Sequence, residues 1–371
     1  MKKNILAHLI FVFCIVVAIP SCKKSQETES VVISPENEMI VSDFVEHSDY
    51  IKLPKSDSCL IGEIQSVRFG NGMIAVQSSR KIFVFDKSGR FLGKTDHLGK
   101  GKGEYVDIND FQLYNNGIYV LSGLQKKILR YTVTGDFIGE YRLDDSYRHM
   151  EMRDSVNVIL ASEQCNDTHY NFVYYDLSNE KSTLRVDKFD QNEAFAVPSF
   201  NAFLGSDSVL LVGHLFDTSV YSLKENRISK VMTFNFNTQD QLPTSKKDFM
   251  ELFEDTKYKN VVRYLTAYTE VGTNRYLIYP LFGDSGIKTC ITRINKDGKN
   301  HTIKIGKDVD ATYPYFFMGT YLCLYENQIV MAVDANHLLE LEKEHDLSYF
   351  TDDGINKDDN PILFFYTLKS N

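Results

Sequence analysis

Tryptophan is missing from all 371 residues, so 22 Tyr and 25 Phe carry the aromatic content, and with many short apolar runs that content favours strands. None of the six cysteines forms a CxxC pair, and no two histidines are spaced as HxH or HxxxH. Neither a thiol redox motif nor a local zinc site is therefore written into the chain. A G-x-S-x-G elbow is absent, and with it the usual signal for acyl transfer. "DDGINKDDN" lacks the ligand spacing and terminal Glu of a calcium loop. The paired carboxylates Asp144-Asp145, Asp352-Asp353 and Asp358-Asp359 all fall in polar, turn-like stretches and read as solvated loops. Positive charge is in deficit, with 41 Lys and Arg against 50 Asp and Glu, a net of −9. Such a body repels nucleic acid and anionic lipid surfaces.

The chain does have an address. Met1-Lys2-Lys3 precedes an apolar stretch from Ile5 to Ile19, the form of a secretory signal. It falls short of the roughly 20 residues that span a bilayer, and no later segment comes closer. Ile19-Pro20-Ser21-Cys22 then resembles a bacterial lipobox. Residues 1–21 are thus expected to be a lipoprotein signal peptide, Cys22 the acylated first residue, and 22–38 a polar tether. Loss of Lys2 and Lys3 takes the charge from −9 to −11. The remaining cysteines are scattered and read as small buried hydrophobes.

The body, residues 39–371, repeats itself. "KIFVFDKSGRFLGK" (81–94) aligns with "KILRYTVTGDFIGE" (127–140), so that Phe85 matches Tyr131, Gly89 matches Gly135 and Phe91 matches Phe137. Each copy reads as a β-hairpin. Weaker copies place Tyr175, Tyr221, Ile294 and Phe365 in the role of Phe85. The last two spacings are longer. They contain "TSKKDFMELFEDTKYKNVVRYL" and "DANHLLELEKEHDLS", whose apolar spacing is helical. Two further strand-like runs precede most copies. Four strands per unit of about 45 residues is the signature of a β-propeller. The expectation is an all-β, six-bladed ring of four-stranded blades with two short helical insertions. The sixth unit lacks its outer strand, and "DFVEHSDYIKL" (43–53) supplies one, removing an open sheet edge. A two-domain sandwich would not need the constant offset, and seven blades would need the insertions to be sheet.

"FVFDKSGRFLGK", "GKGKGEYVDINDFQLYNNGIYVLS" and "KKILRYTVTGDFIGEYRL" together resemble the six-bladed propeller lipoproteins of Bacteroidetes, related in pattern to NHL-repeat propellers. In that family a G-K-G-P-G-E-Y loop joins one blade's outer strand to the next blade's inner strand. Gly99, Lys100, Gly101, Gly103, Glu104 and Tyr105 match, while Lys102 replaces the Pro that would fix φ. The resemblance specifies fold far better than function. It also implies an alternative, a metal-assisted lyase or hydrolase with its site at the central channel.

The glycine-rich loop is neither GxxxxGK[ST] nor followed by a helix, which sets nucleotide binding aside. It reads as a tight joint between blades, bordering the face on which propellers bind. Histidines 149, 169 and 214 come from neighbouring units. Candidate ligand-binding residues are Lys100, Gly101, Glu104, Tyr105, Arg148, His169 and His214; no catalytic or metal-ligating residue is assigned, and no cofactor. The chain is expected to be a monomeric, non-catalytic binding or protein-interaction module on a lipid anchor in the outer membrane. Its partner would be a small molecule, glycan, peptide or protein on the loop face.

Overall fold

A computed structural model describes residues 29–164, 166–190, 202–206, 209–224, 227–238, 260–283, 286–305, 312–316 and 319–371. The signal peptide, Cys22 and Cys165 lie outside them. Six sheets stand around one axis. Blade 1 comprises Ser66–Gly70, Met73–Ser78, Lys81–Asp86 and Phe91–Thr95. Blade 2 comprises Asp110–Tyr114, Gly117–Ser122, Lys127–Thr132 and Phe137–Arg142. Blade 3 follows with His149–Met152, Asn157–Ala161, Tyr170–Asp176 and Lys181–Lys188. Blade 4 has Phe203–Ser206, Leu210–Val212, Ser219–Lys224 and Arg227–Phe236. In blade 5 the inner strand is split into Val261–Val262 and Ala267–Val271, both paired with Asn274–Gly283; Gly286–Ile294 and Asn300–Lys304 complete it.

Blade 6 takes Thr320–Tyr325, Gln328–Val333 and Ile362–Leu368 from the end of the chain, and its outer strand, Val45–Lys52, from the beginning. The ring is therefore closed by an N-terminal strand, as the sequence implied. Phe85, Tyr131, Tyr175, Tyr221, Ile294 and Phe365 all fall on the third strand of their blades.

Local chemistry explains the hairpins. Asn71 and Gly72 turn between the first two strands of blade 1 at φ 52° and 70°, the positive pair that a two-residue hairpin turn requires. Between blades the core is apolar and continuous. Ala75, Ile82 and Val84 of blade 1 meet Phe111, Ile118, Leu129 and Tyr131 of blade 2. Comparable clusters lie at each of the other junctions. Each fully buried large side chain contributes about 1.5–3 kcal/mol, so every blade is held chiefly by its neighbours.

Two features differ from expectation. The tether does not extend to residue 38: Glu29–Ile33 pairs in parallel with Met232–Phe236 as a fifth strand on blade 4. Val31 and Ile33 point into the blade 4–5 core while Val32 stays exposed, an alternation that makes the segment a strand. The strap continues across blade 5, where the Met39 amide donates to the Thr302 carbonyl, and on into blade 6. The first helical insertion (244–265) lies mostly outside the described residues; its end is extended, because Val261 and Val262 are buried against Leu281 and Phe282. The second is helical over Ala335–Glu344 and sits between the second and third strands of blade 6.

Candidate functional site

Strand polarity sorts the loops. Inner strands begin, and second strands end, at one face of the ring. That face carries the glycine-rich loop, Arg148, His169, His214 and the helix at 335–344.

The glycine-rich loop is bound up with itself and its neighbours. Gly99 donates its amide to the Tyr105 carbonyl (3.0 Å), and the Tyr105 amide donates to His97 (2.9 Å). The Glu104 carboxylate accepts from the Gly101 amide (2.8 Å) and lies so near Gly99 that a Cβ there would come within 2.0 Å of it. Tyr105 is buried and donates its hydroxyl to the Arg80 carbonyl (3.0 Å). The Gly103 carbonyl accepts from the Tyr131 hydroxyl of blade 2 (2.9 Å). Gly101, Glu104 and Tyr105 thus form a joint between blades, and Lys100 projects from it, exposed.

Of the other candidates, Arg148 is half-buried just before the inner strand of blade 3, and its amide donates to the Ala161 carbonyl (2.8 Å). His169 lies against Phe189 with ring centres 5.7 Å apart. His214 sits edge-on to Phe172 and Tyr221, its Nε2 3.6 Å from an Asp187 carboxylate oxygen. Burial pushes its pKa down, against the raising fields of Asp187 and Asp217.

Around the axis lies a charge network that the sequence reading did not assemble. Arg68, on the inner strand of blade 1, donates to Asp110 of blade 2 (2.7 Å). The second Asp110 oxygen accepts from the Met150 amide (3.0 Å) and lies 3.7 Å from His149 Nδ1. His149 Nε2 meets Glu163 Oε1 at 2.7 Å. Gln112 joins the same strands, donating to the Met150 carbonyl (2.7 Å) and to Glu151 (2.8 Å). Burial disfavours the His149 cation, but hydrogen bonds and charges of Asp110 and Glu163 outweigh it and raise the pKa to about 9. Asp110 is likewise held below its ordinary range, despite its burial, by Arg68 and His149. Burial drives Glu151 up. Arg68, Asp110, His149 and Glu163 form a neutral, ordered quartet.

The quartet ends at a small cleft between blades 3 and 4, about 10 Å³ or the space of one water, lined by Glu163, Gln164, Phe172, His214 and Leu215, among others. Glu163 and Gln164 stand there at φ 53° and 61°, a pair of left-handed residues after the second strand of blade 3. Asn171 braces the floor, accepting from the Gln164 amide (3.1 Å) and donating to Asp187 (2.7 Å).

These donors do not suit the metal of the alternative reading. His149 is already engaged, its Nε2 by Glu163 at 2.7 Å, while its Nδ1 faces Asp110 at 3.7 Å. Among the described residues no three His, Cys, Asp or Glu side chains converge as metal ligands. The thiols of Cys59 and Cys290 are buried in strand and turn packing, with pKa values pushed up to about 11 and 12 by burial.

One signal could have revealed the network. The inner strands carry a polar residue, Arg68, Gln112 or Glu151, between apolar neighbours (Val67 and Phe69, Phe111 and Leu113, Met150 and Met152).

The model of the family described as "Domain of unknown function (DUF4934)" matches residues 28–367. A Bacteroides fragilis protein assigned as exported, BF0058, has a solved structure similar to this one at a TM-score of 0.71. It shares 18% identity over 92% of this chain and 99% of its own. A member of the DUF4221 family from Bacteroides vulgatus is similar at a TM-score of 0.53 and 11% identity, over 88% of this chain and 97% of its own. At such identities the likeness concerns the fold. No curated protein matches the chain.

Proposed function

Because the chain belongs to the DUF4934 family, a grouping by sequence and not by activity, we propose a function from its own geometry. It is an exported, lipid-anchored propeller that binds a ligand on its loop face without transforming it. The lipobox at Cys22 and the kinship in pattern with Bacteroidetes propeller lipoproteins support anchoring in the outer membrane. The ligand is a small molecule, a glycan or a peptide; nucleic acid is disfavoured by the net charge of −9.

The observation that carries the binding reading is the loop face, which gathers the glycine-rich loop, Arg148, His169, His214, the small cleft at Gln164 and the helix at 335–344. His149 itself is not suited to act as a general base. A general base must accept a proton near neutral pH, and a histidine with a pKa of about 9 is already protonated there. Glycan and peptide arrays probed with the mature protein should yield ligands that bind stoichiometrically and are lost in the Gln164→Ala protein. Turnover of such a ligand would refute the non-catalytic reading. Cys22→Ser should move the protein from the membrane to the soluble fraction; retention in the membrane would refute the anchor.

A further inference from the structure

We infer that the rim of blade 4 lies against the membrane surface, so that the loop face is turned away from the lipid. The inference rests on the reading of Cys22 as a lipid anchor. The strap shortens the tether. Only residues 23–28 separate Cys22 from Glu29, the first residue of the strand on blade 4. Fully extended, seven steps of chain reach at most about 25 Å. Blade 1 stands opposite blade 4 across the axis. At ~4.8 Å between strands, the outer edges of these two blades lie roughly 35–40 Å apart. The far rim is therefore out of the tether's range. Direction matters as well. Glu29–Ile33 is parallel to the outer strand of blade 4, which runs toward the loop face, so Glu29 is the strap end farther from that face.

The surface around that point suits an anionic bilayer. Val32 on the strap is 59% exposed, and Val231 on the neighbouring strand 41%. Asn235 donates to the Ser30 hydroxyl (2.7 Å), which holds the two strands edge to edge. Arg227 and Lys230 are exposed on the outer strand, which carries no acid, and Lys224 is exposed at the end of the strand before it. Glu29 is paired with Arg275 (2.5 Å). Lys23 and Lys24 follow Cys22 directly. The chain's net charge of −9 conceals this local positive sign. Exposed aliphatic side chains among cations are the composition of a surface that settles at the head-group level of anionic lipid.

The lipidated protein in vesicles of phosphatidylethanolamine and phosphatidylglycerol, with a nitroxide on the lipid head groups, tests the orientation. A bimane label is placed at Val231→Cys on the blade 4 rim, at Lys87→Cys between the third and outer strands of blade 1, or at Leu124→Cys, 80% exposed on the loop face. The parent protein corrects for labelling of the native thiols. Quenching should be about threefold stronger at Val231→Cys than at either other site. Equal quenching at the three sites, or the strongest at Lys87→Cys or Leu124→Cys, would overturn the inference. Lysine acetylation of the unlabelled parent gives a second reading. On vesicles Lys230 should be protected relative to the soluble Cys22→Ser protein, and Lys87 should not; protection of Lys87 in place of Lys230 would overturn the inference as well. A parent that does not float with vesicles removes the anchor reading and this inference together. One that floats without the contrast removes only the orientation.

Discussion

Ile33→Ala tests whether the strap belongs to the folded ring or merely lies on it. Ile33 is 0% exposed, among Phe234, Phe236, Leu277 and Tyr279 at the junction of blades 4 and 5. The substitution deletes one methylene and two methyl groups, about 2–3 kcal/mol at ~0.8 kcal/mol each. The cavity left in a rigid strand ladder brings the loss to about 3–4 kcal/mol. The neighbouring Val32 is 59% exposed, so Val32→Ala should stay within about 0.5 kcal/mol. With no tryptophan in the chain, far-UV circular dichroism in urea is the suitable probe of the midpoint. Hydrogen exchange at Met232–Phe236, the strand that Glu29–Ile33 covers, reports the same event locally. Equal midpoints for the two variants, with unchanged exchange, would refute the integral strap.

A chain begun at residue 54 loses the outer strand of blade 6 and leaves Ile362–Leu368 as an open edge. It should aggregate on size exclusion, whereas one begun at residue 29, which keeps both the strap and that strand, should stay monodisperse. His149 stabilises the fold most below its ordinary pKa of 6.5, and that contribution is lost as pH rises through about 9. The stability gap between the parent and His149→Gln, measured in urea, should thus be widest near pH 6, at about 3 kcal/mol, and narrow by pH 10; a constant gap would contradict the assignment. Gly103→Ala meets the Phe137 ring at 2.8 Å at φ +73°, whereas Gly72→Ala at φ +70° meets nothing. Calorimetry should find about 1–2 kcal/mol lost at Gly72 and more at Gly103.

Most of the ring was legible because its repeat lies in local pattern. Phe85, Tyr131 and Tyr175 recur at near-constant spacing, since each must fill the same place between blades. Val45–Lys52 was legible as a strand in need of a sheet, and the sixth unit as a sheet in need of a strand. The strap was not: "SVVI" is too short to distinguish from a tether until the outer strand of blade 4 is in place beside it. The quartet escaped for a different reason. Arg68, Asp110, His149 and Glu163 come from three blades, and only the closure of inner strands around the axis brings them together. The helical spacing of 244–265 misled at its end, where tertiary pairing of Val261 and Val262 overrides periodicity.

The joint between Val45–Lys52 and Ile362–Leu368 also fixes an order of events. His47 and Thr367 are in hydrogen-bond contact across 320 residues of chain. During synthesis the first of these strands has no partner until Ile362–Leu368 has emerged. Blades 1 to 3 can form in sequence, but blade 6 cannot exist in part. Contacts of such separation are slow to form, so the nascent chain spends its synthesis without a closed ring. A chain in that condition is one that a translocation machinery can still thread.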